Sequence, residues 1–202
     1  RGSTDSEIVS ITVSNLVPVI SSLSPTNGPL AGGTSVVITG QNFATATGVS
    51  FGGTAATSFV VDSATQITAV SPAKSAGQVD VAVTNTNGTS TNTANDDFTY
   101  VAAPAIASVS PSSGPTAGGT SVVITGTDFT SVTAVSFGGT AASSYTVDSA
   151  TQITATSPAG AGGQVDIVVA AIGGSSANTA NDNSTFVAAP AIASVSPSSG
   201  PT

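Results

Sequence analysis

The chain repeats itself along most of its length. A segment that runs from Pro18 to Gly40 recurs almost unchanged from Pro104 to Gly126, and its opening recurs a third time from Pro190. The three prolines are about 86 residues apart, and about two thirds of the positions in the two complete copies are identical. Units of this size can bury a core of their own, whereas repeats of about 20 to 45 residues must stack. We therefore expect two independently folded domains in tandem.

The repeat also divides the chain into parts. Upstream of Pro18, residues Val9, Ile11 and Val13 alternate with serine and threonine, which is the pattern of a half-buried strand. The opening Arg-Gly-Ser resembles an expression-tag scar, and a disordered tail is the alternative for this N-terminal part. The predicted parts are residues 1–17, a tag scar and the last strand of a truncated upstream domain; 18–103, the first domain; 104–189, the second domain; and 190–202, the first strand of a truncated third repeat.

Each copy consists of short stretches rich in Val, Ile and Thr, separated by clusters of Gly, Pro, Asn and Ser. The stretch from Gln78 to Thr84 alternates strictly, so we expect its valines to point inward. Asp80 and its counterpart Asp166 would point outward and protect a sheet edge. About seven stretches per copy are typical of an immunoglobulin-like β-sandwich, and helix should be almost absent. The predicted fold class is all-β, with two tandem immunoglobulin-like β-sandwich domains.

The joint between the two copies, from Tyr100 to Ile106, contains no tether rich in glycine and serine. It is short and apolar, and Pro104 favours an extended backbone at the preceding alanine. Such a joint is stiffer than a Gly/Ser linker. We therefore expect the two domains to be arranged end to end as a rod.

The composition excludes several classes of function. The formal net charge is −8, and Arg1 and Lys74 are the only basic residues. Nucleic acids and anionic membranes are bound through Lys and Arg, so neither is an expected partner, and no apolar run is long enough for membrane insertion. Serine and threonine are plentiful, but there is no His to act as a base, and Lys74 is replaced by Gly160 in the second copy. We expect no enzymatic activity, no catalytic residue and no cofactor.

One pair of polar clusters is a candidate for calcium. The first copy contains Asn95-Asp96-Asp97, and the second copy has Asp182 between two asparagines. Calcium takes about six to eight oxygen ligands, which carboxylates, amides and backbone carbonyls can supply. The second copy has one carboxylate fewer, however, and Asp and Asn in turns commonly bond to their own backbone. We favour the turn interpretation and keep Asn95, Asp96, Asp97 and Asp182 as the candidate calcium ligands.

Three aromatic residues are candidates for ligand binding. Phe51 and Phe137 each precede a pair of glycines, and exposed rings there could stack on a sugar. A core phenylalanine beside a β-bulge is the alternative that we favour for both. Tyr145 stands where the first copy has Phe59, and this pair is the first to check for an exposed aromatic surface.

Several motifs occur in the same order in both copies. They are Pro-x-Ile-x-x-x-Ser-Pro-x-x-Gly-Pro-x-x-Gly-Gly-Thr-x-Val-x-Ile-x-Gly-x-x-Phe at the start of each copy, Val-x-Phe-Gly-Gly-Thr-Ala-Ala at Val49–Ala56 and Val135–Ala142, Thr-Gln-Ile-Thr-Ala-x-Ser-Pro-Ala at Thr65–Ala73 and Thr151–Ala159, and Phe-Thr-Tyr-Val at Phe98–Val101. The second copy departs from the last motif, because Ser184–Val187 keeps only its second aromatic position. Over residues 18–202 the order of these motifs resembles the IPT/TIG domain, an immunoglobulin-like fold of plexins, Rel-type transcription factors and many bacterial surface proteins.

The resemblance alone implies no single function, because one fold hosts many. The basic loops through which similar Rel-type domains contact DNA are missing here. The tandem, Ser/Thr-rich form is similar to spacer arrays, so we expect non-catalytic stalk repeats of a large bacterial cell-surface or secreted, adhesin-like protein, partnered by neighbouring repeats. Polysaccharide or host matrix protein would be bound through other domains. The alternative is an accessory carbohydrate- or protein-binding module of an extracellular enzyme or adhesin.

Overall fold

The computed structural model describes residues 16–194 together with Ser196 and Gly200. The chain forms two compact units, and each complete copy of the repeat builds one pair of sheets. The strand predicted upstream of Leu16 lies outside the described residues. In the third repeat, the described residues from Pro190 to Ser194 contain no strand.

The first domain contains ten short strands. They are β1 (Val19–Ser24), β2 (Asn27–Pro29), β3 (Ser35–Gln41), β4 (Ala46–Phe51), β5 (Thr54–Ala55), β6 (Ser58–Ser63), β7 (Gln66–Val70), β8 (Gly77–Asn85), β9 (Gly88–Thr89) and β10 (Asp97–Val101). One sheet has the order β1-β3-β7-β6. The other has the order β2-β10-β8-β4-β5, with β9 paired to β8.

The second domain has the same topology. Its strands are β11 (Ala105–Ser110), β12 (Ser113–Pro115), β13 (Ser121–Thr127), β14 (Val132–Phe137), β15 (Thr140–Ala141), β16 (Ser144–Ser149), β17 (Gln152–Thr156), β18 (Gly163–Ala171), β19 (Gly174–Ser175) and β20 (Asn183–Val187). The sheet orders are β11-β13-β17-β16 and β12-β20-β18-β14-β15, with β19 paired to β18. Within the described residues, helix is limited to two single 3₁₀ turns, Phe129–Ser131 and Ala180–Asp182.

Alternating residues of the strands build the core of each sandwich. In the second domain, side chains from both sheets join one buried cluster with the ring of Phe129 among them. The valines of β8 point inward as predicted, since Val81 and Val83 are fully buried. This alternation is what period-2 patterning requires of a sheet with one buried face. The all-β, immunoglobulin-like prediction is confirmed.

The sequence prediction differs from the structure at a cluster of turn residues. Asn27–Pro29 lies in the predicted turn after β1 but forms the short strand β2 beside β10. Its counterpart β12 pairs in parallel with β20, from Ser113↔Thr185 to Pro115↔Val187. A proline is tolerated here because it stands at the end of an edge strand.

The two cores differ at one large side chain. Phe98 on β10 is fully buried, and its ring meets that of Phe51 edge to face, with the ring centroids 5.3 Å apart and an interplanar angle of 82°. Such a pair contributes about 0.5–1.5 kcal/mol beyond the area it buries. In the second domain the corresponding residue is the buried Ser184, so Phe137 has no such partner at this position.

We predict that Phe98→Ala lowers the unfolding free energy of the first domain by about 3–5 kcal/mol, because it removes a fully buried ring and leaves a cavity. Calorimetry of the two-domain chain should show one unfolding transition shifted down and the other unchanged. Val60→Ala is the control, because Val60 is 61% exposed on β6. A cost below about 1 kcal/mol for Phe98→Ala, within the usual range of surface substitutions, would contradict this account of the core.

Candidate functional site

Asp96 lies at the turn that leads into β10 and is almost completely buried. Its Oδ1 accepts hydrogen bonds from the backbone N–H of Thr93 at 2.9 Å and from the Thr93 hydroxyl at 3.4 Å. The backbone N–H of Asn95, an exposed residue, donates to the Thr93 hydroxyl at 3.3 Å. The carboxylate therefore satisfies a backbone donor and closes the turn.

Asp182 has the same role in the second domain, where it is fully buried. Its Oδ1 and Oδ2 each lie 3.2 Å from the backbone nitrogen of Thr179, and the N–H of Asn181 donates to the Thr179 hydroxyl at 3.2 Å. The reciprocal bonds form a capping box at the 3₁₀ turn. Both buried carboxylates thus have the turn-closing role that their sequence context favours.

Asp80 and Asp97 complete a cluster of three carboxylates with Asp96. One carboxylate oxygen of each residue lies within 4.8 Å of those of the other two. Asp80 is exposed on β8, and Asp97 is half-buried at the start of β10. The side chain of Asn92 donates from Nδ2 to Oδ2 of Asp80. The first domain therefore gathers three acidic groups and one amide at the point where β8 and β10 meet.

The second domain keeps this arrangement with one charge fewer. Asp166 and Asn183 stand directly opposite each other on β18 and β20, so an amide replaces Asp97. Asn178 donates from Nδ2 to Oδ2 of Asp166, as the corresponding amide does in the first domain. The second domain therefore keeps the geometry but carries less negative charge. Because calcium affinity depends on the number of charged ligands, the second domain is a weak candidate for cation binding.

The cluster supplies only part of what calcium requires. A calcium ion takes about six to eight oxygens, so three carboxylates would share it with water or backbone carbonyls. Asp96 already accepts two hydrogen bonds from Thr93, and Asn92 already binds an oxygen of Asp80. These bonds are sufficient to explain the positions of the Asp80 and Asp96 carboxylates.

The prediction that Asp80 and Asp166 protect a sheet edge is wrong, although Asp80 is exposed as predicted. β8 does not lie at an edge but between β10 and β4, and β18 is enclosed in the same way. The structure adds Asp80 to the acidic cluster, which the sequence prediction limits to residues near the start of the last strand. Strand alternation is the signal that identifies Asp80. Residues that are directly opposite on neighbouring antiparallel strands point to the same side of the sheet, so two outward residues lie side by side.

The three aromatic candidates lie in two kinds of environment. Phe51 and Phe137 are 0% and 2% exposed, so they belong to the core and are excluded as residues that stack on a ligand. Tyr145 is 37% exposed on β16, the edge strand of its sheet. Its counterpart Phe59 is half-buried on β6. Of the three candidates, only Tyr145 presents its ring to solvent.

Comparison with known proteins identifies the family. The model of the IPT/TIG domain matches residues 18–100 and 104–188. The extracellular region of plexin A4 aligns at 24% identity with a TM-score of 0.53, over 89% of this chain and 16% of that chain. SGBP-B from a xyloglucan utilization locus of Bacteroides uniformis aligns at 22% identity with a TM-score of 0.36, over 80% of this chain and 48% of that chain. The adhesin InvE of Yersinia pseudotuberculosis aligns at 17% identity with a TM-score of 0.32, over 87% of this chain and 59% of that chain.

These similarities concern the fold alone. The chain spans 16% and 18% of two plexin A4 chains that it matches. No curated protein matches the sequence. In the part of the chain that the structure describes, no helix has the length and apolar character needed to cross a membrane.

We predict that calcium leaves the thermal stability of both domains unchanged, because the buried carboxylates are already bonded to Thr93 and Thr179. Calorimetry in calcium and in EDTA measures this directly. A site with a Kd one hundredth of the free calcium concentration would add about 2.7 kcal/mol to the unfolding free energy. Asp97→Asn, which introduces the residue of the second domain, is the matched variant. A calcium-dependent stabilisation that this substitution removes would contradict the turn-closing role.

Proposed function

The chain belongs to the IPT/TIG family, and from this premise we propose that residues 18–103 and 104–189 are non-catalytic spacer domains of a large bacterial cell-surface or secreted protein. A spacer holds a binding or catalytic domain at a distance from the surface to which the protein is attached. It requires self-contained domains and stiff joints between them.

The proposal rests on one observation: polar side chains of types that often serve chemistry form the same internal hydrogen bonds in both domains. Serine, threonine and aspartate side chains bond to backbone N–H or hydroxyl groups with matching geometry, so they stabilise the sandwich. The matching bonds, first domain then second, are Thr34 N to Ser71 Oγ and Thr120 N to Ser157 Oγ, both 3.1 Å; Val83 N to Ser90 Oγ and Val169 N to Ser176 Oγ, both 3.1 Å; and Thr68 Oγ1 to Asp62 Oδ2 and Thr154 Oγ1 to Asp148 Oδ2, both 2.7 Å.

The sequence of the joint between the domains supports the requirement for stiffness. The family match ends at residue 100 and resumes at residue 104, and strand β10 continues to Val101. Only Ala102 and Ala103 therefore lie between this strand and Pro104. Pro104, which follows, is buried and restricts the backbone of Ala103. A connection of this length leaves little chain to flex, unlike a Gly/Ser tether.

An accessory binding module remains the second candidate function, and the exposure of Tyr145 favours it. A tyrosine ring on an edge strand offers an apolar face with a polar tip, which suits stacking on a sugar. The first domain has the half-buried Phe59 at this position, so only the second domain would present the ring to solvent.

We predict a single narrow distance between the two domains in solution. Gln78→Cys and Gln164→Cys introduce unique labelling sites at equivalent exposed positions, because the chain has no cysteine. Electron–electron double resonance between nitroxides at these sites gives the distance distribution. Insertion of four glycines after Ala103 is the control and should broaden the distribution. A distribution equally broad without the insertion would contradict the spacer proposal.

We also predict that the two-domain chain is not retained on insoluble polysaccharides or host matrix proteins at moderate salt, because a spacer binds through other domains. A pull-down with washing measures retention. Retention that Tyr145→Ala abolishes, and that Phe59→Ala leaves unchanged, would instead establish the binding module.

A further inference from the structure

Three asparagine side chains of the first domain surround the main chain that leads into it. Asn42 donates from Nδ2 to the carbonyl oxygen of Val17 at 2.9 Å. Asn85 and Asn87 both donate from Nδ2 to the carbonyl oxygen of Leu16, at 3.0 Å and 3.4 Å. Two successive carbonyls are therefore bound by three amide groups, which come from the β3–β4 connection, the end of β8 and the β8–β9 turn.

The domain itself holds these amides in place. Asn85 is almost completely buried, and its Oδ1 accepts the N–H groups of Asn87 and Gly88 at 2.8 Å and 3.1 Å. Its Nδ2 also lies 3.3 Å from the carbonyl oxygen of Asn42, so the two loops are bonded to each other. Asn42 has a left-handed backbone, with φ of 65°, a conformation that asparagine tolerates better than most residues. The amide of Asn85 is thus preorganised, which reduces the entropy lost when the carbonyl of Leu16 binds.

The incoming chain fits this surface through its backbone. Leu16 is 52% exposed although its carbonyl group is bound. Val17 packs against Gly88, where a Cβ would lie 3.0 Å from Val17 Cγ1. Pro18, which follows, is buried.

We propose that Asn42, Asn85 and Asn87 form a docking site, the amide clamp, for the main chain of Leu16 and Val17, which leads into the first domain. The clamp binds the carbonyl groups of these two residues, and it fixes where their main chain meets the domain. This assignment goes beyond the spacer function. It rests on hydrogen bonds within the first unit and holds whatever the parent protein binds.

The second domain contacts its own incoming segment in a different way. The positions of the clamp are occupied by Asp128, Ala171 and Gly173, none of which has a side-chain N–H to donate. Gly173 instead approaches the backbone directly, since a Cβ there would lie 2.0 Å from the carbonyl oxygen of Ala102 in the same unit. The amide clamp is therefore specific to the first domain.

Nuclear magnetic resonance relaxation of the whole chain tests the clamp. In the variant Asn42→Asp/Asn85→Asp, each new carboxylate keeps an acceptor oxygen, so the β8–β9 turn stays closed. The donor to Val17 and the nearer donor to Leu16 are lost, and only the 3.4 Å bond from Asn87 remains. We expect the backbone order parameters of Leu16 and Val17 to fall from about 0.85 to below about 0.6. Those of Ile20, in the core, should not change.

A second variant carries the residues of the second domain, Asn42→Asp/Asn85→Ala/Asn87→Gly, and the same loss of order at Leu16 and Val17 is expected. The matched control is Gln41→Thr/Thr89→Ser, which also introduces residues of the second domain beside the clamp but removes none of its donors. The control should keep the order parameters of the parent chain.

Order parameters that stay near about 0.85 in both clamp variants would overturn the proposal, as would values already below about 0.6 in the parent chain. If the multiple variants unfold, Asn42→Asp alone decides the question. The second domain carries Asp128 with φ of 62° at the same place, so the fold accommodates this substitution. Increased mobility of Val17 in this variant supports the clamp, and unchanged mobility overturns it.

Discussion

In each domain the first strand lies directly over a glycine of the strand beside it. A Cβ at Gly40 would be 2.0 Å from the carbonyl oxygen of Val19 and 2.5 Å from the ring of Phe43, and Gly126 is enclosed in the same way. A side chain at this point would displace either β1 or the aromatic ring that fills the core. Gly40 therefore determines three features because it has no side chain: the pairing of β1 with β3, the burial of the ring and the direction of the incoming chain.

Because the chain has few charged residues, the hydrogen bonds within its domains are made mainly by uncharged polar side chains. Turns and loops need hydrogen-bond partners for their backbone groups, and neutral bonds contribute about 0.5–1.5 kcal/mol each. Here hydroxyls, amides and a few buried carboxylates supply those partners at matching positions of both domains. The acidic cluster around Asp96 belongs to this pattern, because its central carboxylate closes a turn. Residue types that suggest a site in a sequence can thus be fully engaged in maintaining a fold.

The sequence predicts most of the fold because its strongest signals are local and occur twice. Alternation places Val81 and Val83 inside, and the repeat shows which motifs belong to one domain. Strand β2 is missed because Pro and Gly suggest a turn, and only its pairing with β10 makes it a strand. The amide clamp is missed for a related reason. Asn85 and Leu16 are 69 residues apart, and no local pattern indicates that an amide will meet that carbonyl.

The differences between the copies have unequal consequences. Ser184 in place of Phe98 removes a ring from one core, a change of stability that leaves the sheet order intact. The change from Asn42, Asn85 and Asn87 to Asp128, Ala171 and Gly173 alters what the domain offers to the chain before it. The packed interiors resist deformation, so the two domains keep the same fold while these loops differ. Substitutions in the loops therefore change how each domain holds the main chain that leads into it.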